Sequence, residues 1–110
     1  MKQSDASSGD ALLLALSALA SPQRLRIVAA LAEGREYVSR LARRLETSRP
    51  LLHMHLQRLE AAGLVTGTLE LSEEGKAMKY YEVTEFALEL TPAAIAQAAK
   101  TLTDRKEVAE

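Results

Sequence analysis

The chain has 110 residues, no cysteine, and 14 basic against 15 acidic side chains. That length suits one small domain that gains from pairing with a second copy, and the lack of thiols excludes disulfides and cysteine-ligated metals within the chain. The longest apolar run, ALLLAL with its continuation SALA, is about half of the ~20 residues that cross a bilayer and follows a polar, acidic start, so we expect a soluble, cytoplasmic protein with no membrane partner.

In chain order, MKQSDASSG (residues 1–9) is small and polar and reads as a loose tail. A folded domain is expected over 10–104, with a loose end at 105–110. From Asp10 apolar residues recur at helical spacing, with Leu12, Leu16 and Leu19 on one stripe and Leu13 and Ala20 beside it. Ser21-Pro22 stops that helix and caps the next. The second helix is expected to turn Leu25, Val28, Ala29, Leu31 and Ala32 inward and to end at Glu33-Gly34. YVSRLARRLE is short and amphipathic, with Val38, Leu41 and Leu45 inward, Arg40, Arg43 and Arg44 outward, and an end near Thr47.

The fourth helix is the most sharply bounded. Ser48 caps it, Pro50 lies in its first turn, Leu52, Leu56, Leu59 and Ala62 form its buried stripe, and Gly63 terminates it. The period then changes: LVTGTLEL and KAMKYYEV alternate and are separated by SEEG, which predicts a β-hairpin. Thr91-Pro92 starts a last, alanine-rich helix running to about Asp104. The fold class is therefore mainly α, a helix-turn-helix unit followed by a hairpin wing and flanked by helices at both ends.

Charge is divided along the chain. Residues 22–65 hold eight arginines and four glutamates, whereas the remainder holds six basic and eleven acidic residues. An all-arginine cationic segment suits bidentate contact with phosphates and guanine edges. The chain's two histidines, His53 and His55, both fall in this segment. Residues two apart on a helix lie about 200° apart around its axis, so the pair cannot turn toward one ion. We expect His53 to face outward and His55 to be a hydrogen-bonded packing residue at the edge of the buried stripe. No phosphate-cradling glycine run, nucleophile elbow or placed acid pair points to catalysis, and no cofactor is expected.

If the fourth helix enters a DNA major groove, Arg49, Leu51, His53, Met54 and Gln57 lie on or near its exposed leading side, with Ser48 at its cap. Arg49 is the leading choice for a guanine contact. Arg35, Arg40, Arg43 and Arg44 are expected at phosphates, and Lys76 and Lys79 are the wing's cations, set against Glu70, Glu73 and Glu74.

SPQRLRIVAALAEG, VSRLARRLETSRPLLHMHLQRLEAAGLV and a hairpin ending in KYYEV, from about Leu16 to Val83, resemble the ArsR/SmtB family of winged-helix transcriptional repressors. The resemblance implies a homodimer joined by its first and last helices, an inverted-repeat operator in double-stranded DNA, and repression released by an effector that the residues do not name. Leu12, Leu13 and Leu16, with Ile95, Ala98 and Leu102, would form the dimer seam. Two departures stand out: YVSRLARR has no cysteine and TPAAIAQAAKTLTDRKE no histidine, so the family's metal ligands do not carry over, and Arg49-Pro50-Leu51 replaces the small polar residues common at the leading end. The competing readings are a winged-helix module that binds protein, favoured by the acidic wing, and a metal-responsive sensor with an unusual site.

Overall fold

The computed structural model describes residues 8–103. Its elements are α1 (Gly9–Leu19), α2 (Pro22–Leu31), β1 (Glu36–Tyr37), α3 (Val38–Arg44), α4 (Arg49–Ala61), β2 (Val65–Leu71), β3 (Ala77–Val83) and α5 (Pro92–Ala99). Four helices start by the same device. The hydroxyls of Ser8, Ser21, Ser48 and Thr91 accept from the amides of Ala11, Arg24, Leu51 and Ala94 at 3.0–3.3 Å, each satisfying a donor that the first helical turn leaves open.

Helix α4 is the central packing element. Its Leu52, Leu56 and Leu59 are fully enclosed, together with Leu41 of α3, Ile27 and Leu31 of α2, and Val65 and Tyr81 of the sheet. Burying a leucine of this kind is worth about 1.5–3 kcal/mol, so the expected stripe of α4 is where the core is anchored. Gly63, at φ 78°, ends the helix as its sequence predicts. Thr84 then donates to the Gly63 carbonyl at 2.8 Å, tying the end of the wing back to the end of α4.

The structure departs from the sequence expectations at several boundaries. Ser8 and Gly9 belong to the capped start of α1 rather than to a tail, because the Ser8 hydroxyl has a helical amide to accept from; residues 1–7 and 104–110 lie outside the described residues. Helix α3 begins only at Val38 and stops at Arg44, since Glu36 and Tyr37 are drawn into β1. That strand pairs with Tyr81 and Tyr80 of β3, making a three-stranded antiparallel sheet of order β1-β3-β2 where a two-stranded hairpin is expected. Helix α5 ends at Ala99 instead of near Asp104. Thr101 closes it by donating its hydroxyl to the Ala98 carbonyl at 2.9 Å while accepting from the Gly9 amide at 2.7 Å.

The inward face of α2 also differs. Ile27, Ala30 and Leu31 are buried, whereas Ala29 and Ala32 are exposed and Leu25 is 55% exposed. The cause is Arg24, which turns inward to donate from Nε to the Ala18 carbonyl at 2.6 Å. Ile27 and Leu31 follow Arg24 by three and seven positions and share its face.

The two ends of the described residues meet. A Cβ on Gly9 would stand 2.4 Å from the Ala98 carbonyl oxygen and 2.7 Å from Leu102, so only glycine permits this approach of α1 to α5. Asp10 adds hydrogen bonds to the Thr103 amide, at 3.0 Å, and to its hydroxyl. No single helix among the described residues is long and apolar enough to cross a membrane.

Candidate nucleic-acid interface

The reading unit is α3, the four-residue link 45–48, and α4. Pro50 stiffens the first turn of α4, and the Ser48 cap fixes its leading end. Outward from that end stand Arg49, His53, Met54 (39% exposed) and Gln57, all exposed as expected. Leu51 is also exposed, but it lines a different cavity, with Leu52, from the one beside Arg49.

Between the start of α3, the leading end of α4 and β3 of the wing runs a groove of about 500 Å³. Arg49, His53, Lys76 and Lys79 line it together with Ser39, and no acidic side chain does. The structure thus brings two of the expected reading residues, Arg49 and His53, and both wing lysines to one cationic channel, whereas Ser48, Leu51, Met54 and Gln57 lie outside it. Sequence reasoning missed Ser39: the arginines of YVSRLARR define the outward face by their charge, and a small hydroxyl between them carries no comparable signal.

The four flanking arginines are placed less simply. Arg44 Nη2 pairs with Glu33 at 2.6 Å, Arg35 reaches Glu70 at 3.7 Å, and Arg40 reaches Glu36 at 3.9 Å. Arg43 is exposed and makes no ion pair among the described residues. Exposed pairs of this kind are worth about 0–1 kcal/mol, so phosphates can compete for these arginines, with Arg43 the most available.

The wing is held by a small aromatic cluster. The Arg35 guanidinium sits 3.9 Å over the Tyr80 ring, Tyr37 meets Tyr80 edge-on at 5.8 Å, and the Tyr37 hydroxyl donates to Glu70 at 2.6 Å. That hydrogen bond, with desolvation and the carboxylate's charge behind it, holds the Tyr37 hydroxyl pKa above its ordinary value. Glu70, one of the acids counted against the wing as a DNA contact, therefore spends its charge on Arg35 and Tyr37.

The histidines separate as their spacing requires. His53 is exposed in the groove, while His55 is buried and its Nδ1 stands 2.9 Å from Arg24 Nη1. Burial first, then the positive charges of Arg24 and Arg58, push the His55 pKa below its ordinary value. Among the described residues, no group of three or more His, Asp or Glu side chains is placed to hold a metal.

On the far side, Leu13 of α1 is 56%, Ile95 of α5 50% and Leu102, just past α5, 44% exposed, with Leu14 also exposed. Leu12 and Leu16 are half-buried. Ala98 is buried inside its own protomer, under Gly9.

A helix-turn-helix unit, a wing packed beside its second helix and a cationic channel between them define a winged-helix DNA-binding protein. Residues 21–66 match the family described as "Bacterial regulatory protein, arsR family". An uncharacterized HTH-type transcriptional regulator of Methanocaldococcus jannaschii is 39% identical over 69 residues, which are 63% of this chain and 72% of that protein. The HTH-type transcriptional repressor SmtB of Mycobacterium tuberculosis is 46% identical over 52 residues, 47% of this chain and 38% of its own length. A solved fragment of a possible transcriptional regulatory protein from Mycobacterium bovis superposes with a TM-score of 0.60 at 28% identity, covering 67% of this chain and 74% of that one. The chain belongs to the ArsR family of winged-helix transcriptional regulators, DNA-binding proteins and not enzymes.

Proposed function

We propose that this protein is a homodimeric transcriptional repressor that reads an inverted repeat, with α4 of each protomer in a major groove and the wing beside the adjoining backbone. The observation that carries the reading is the acid-free channel lined by Arg49, His53, Lys76 and Lys79. A polyanion is the partner such a lining favours, and its placement against a capped helix suits duplex DNA. Dimerisation is supported by the exposed Leu13 of α1, Ile95 of α5 and Leu102 just past α5, beside the place where the two helices pack together at Gly9 and Ala98. The repressor sign is carried from what SmtB is named for, and no metal is assigned a role.

The protein-binding alternative keeps the exposed Glu73 and Glu74 at the wing's turn but not Glu70, which Arg35 and Tyr37 engage. Fluorescence anisotropy on the DNA upstream of the protein's own gene, against scrambled DNA of equal length over a salt series, tests the proposal. We expect tighter binding to the first, a steep negative salt slope and two protomers per site. Equal weak binding to both would reject sequence-specific regulation.

A further inference from the structure

A second cavity, of about 260 Å³, shares no lining residue with the cationic channel. It lies where α2 meets the reading unit: Gln23 and Arg26 come from α2, Glu46 and Thr47 from the α3–α4 link, and Leu51 and His55 from α4. Ile27, Leu45 and Leu52 add to its apolar surface. Its volume is just below the ~300 Å³ at which drug-sized pockets begin, so it suits a metabolite-sized occupant.

The polar lining is rich in donors. Arg26 is exposed, and its side chain makes no ion pair or hydrogen bond among the described residues. Gln23 Oε1 accepts from Ser21 at 3.3 Å, which leaves its amide NH2 to donate. A guanidinium can only donate, so the 2.9 Å contact with Arg24 makes His55 Nδ1 the acceptor and puts the ring proton on Nε2. His55 thus has an N–H to offer. Glu46 supplies the one carboxylate of the lining. Donors led by an unpaired guanidinium, over leucine and isoleucine, match a carboxylate carried on an aliphatic body.

We propose that this cavity binds a small aliphatic carboxylic acid, free or as an α-amino acid, and that its occupation regulates DNA binding. Arg26 would hold the carboxylate, and in an amino acid Glu46 would hold the ammonium. The route to DNA is short. Glu46, at φ 54°, is the one non-glycine residue with positive φ among the described residues, a conformation seldom adopted by L side chains. It lies in the link that sets α4 against α3, and Leu51 shares the first turn of α4 with Arg49 while facing this cavity instead of the channel. An occupant bridging Arg26 to this link shifts α4 relative to the wing. The regulatory half of the inference rests on the DNA-binding reading above; the binding half does not.

Isothermal calorimetry of the full chain, without DNA, with 4-methylpentanoate, leucine and 4-methylpentan-1-ol tests the binding half. We expect an acid to bind and the alcohol to bind about tenfold more weakly or worse. Arg26→Gln, at an exposed position and with an unchanged melting temperature, should weaken the acid by a similar factor. Tighter binding of leucine, lost in Glu46→Gln, would identify the amino acid; tighter binding of 4-methylpentanoate would identify the free acid. No heat from either acid at millimolar concentration, or binding indifferent to Arg26→Gln, overturns the site. Anisotropy on operator DNA with saturating acid should then change the DNA Kd by about fivefold or more. Acid binding with no change in a measurable DNA affinity overturns the regulatory half alone, and absence of DNA binding by the free chain overturns the repressor reading while leaving the calorimetry to judge the site.

Discussion

Arg24 joins three helices through one guanidinium: Nε donates to the Ala18 carbonyl at the end of α1 at 2.6 Å, and Nη1 donates to His55 Nδ1 in the middle of α4 at 2.9 Å. The buried histidine must be neutral to accept. Its pKa is held below the ordinary value of about 6.5 by burial first and then by Arg24 and Arg58. The unfolded chain therefore binds more protons than the folded one in the window just below pH ~6.5. This contribution to stability is complete above that pH and is lost as pH falls through the lowered folded value. Urea midpoints near neutrality and near pH ~5 should show a larger acid loss in the parent than in His55→Asn, which keeps an acceptor but cannot titrate there. Equal losses would remove His55 as the titrating group. Arg24→Ala should cost about 1–3 kcal/mol by leaving both acceptors unpaired.

Arg49 and Arg43 should fail differently. Arg49 is in the channel beside His53, at the end of α4 that the proposed docking turns toward bases, and Arg49→Ala should cost about 1–3 kcal/mol on the cognate operator and much less on scrambled DNA. Arg43, on α3 and without an ion pair among the described residues, should weaken both DNAs alike when replaced by Ala and lower the salt slope by about one unit. Parallel anisotropy titrations separate the two, and a uniform loss for Arg49→Ala would contradict its place as a base reader.

Glu70 restrains a cation at the base of the wing. It pairs with Arg35 at 3.7 Å and accepts from Tyr37 at 2.6 Å. Glu70→Gln keeps a side-chain acceptor for the tyrosine but releases the charge on Arg35. DNA affinity should rise for all sequences, with the salt slope steeper by up to about one unit. Unchanged affinity and slope would mean that Arg35 does not reach a phosphate.

Leu13, exposed on α1, should tolerate charge in the monomer but not at a dimer seam. Leu13→Glu is expected to keep the helical circular dichroism of the parent while sedimentation shifts to the monomer, and operator affinity should fall by at least about tenfold as the second half-site is lost. A variant that remains dimeric would place the interface elsewhere.

The sequence made α4 legible because its signals agree. The Ser48 cap, Pro50, the Leu52–Leu56–Leu59 spacing and Gly63 each point to the same boundaries. The wing's two long strands and their SEEG turn were legible for the same reason. Strand β1 was not, because two residues are too few to show alternation and their partners, Tyr80 and Tyr81, lie more than forty positions away. The face of α2 was misread because Leu25 competes with Ile27 on hydrophobicity alone, and the deciding residue is a charged one: Arg24 turns inward only because Ala18 and His55 offer acceptors. The end of α5 depends on a contact with Gly9, 92 positions from Thr101. At the site, residue type and helical spacing were enough to choose Arg49 and His53, but not to foresee that Glu33, Glu36 and Glu70 would engage three of the four flanking arginines.

Hydroxyl-radical footprinting of the full chain on the DNA upstream of its own gene bears most directly on the central claim, that two copies of α4 read one operator. Two protected tracts are expected, related by a dyad and centred about one helical turn, or a whole number of turns, apart, both weakened when Arg49, Lys76 and Lys79 are replaced together. Diffuse protection without a dyad, or protection that survives those replacements, would contradict it.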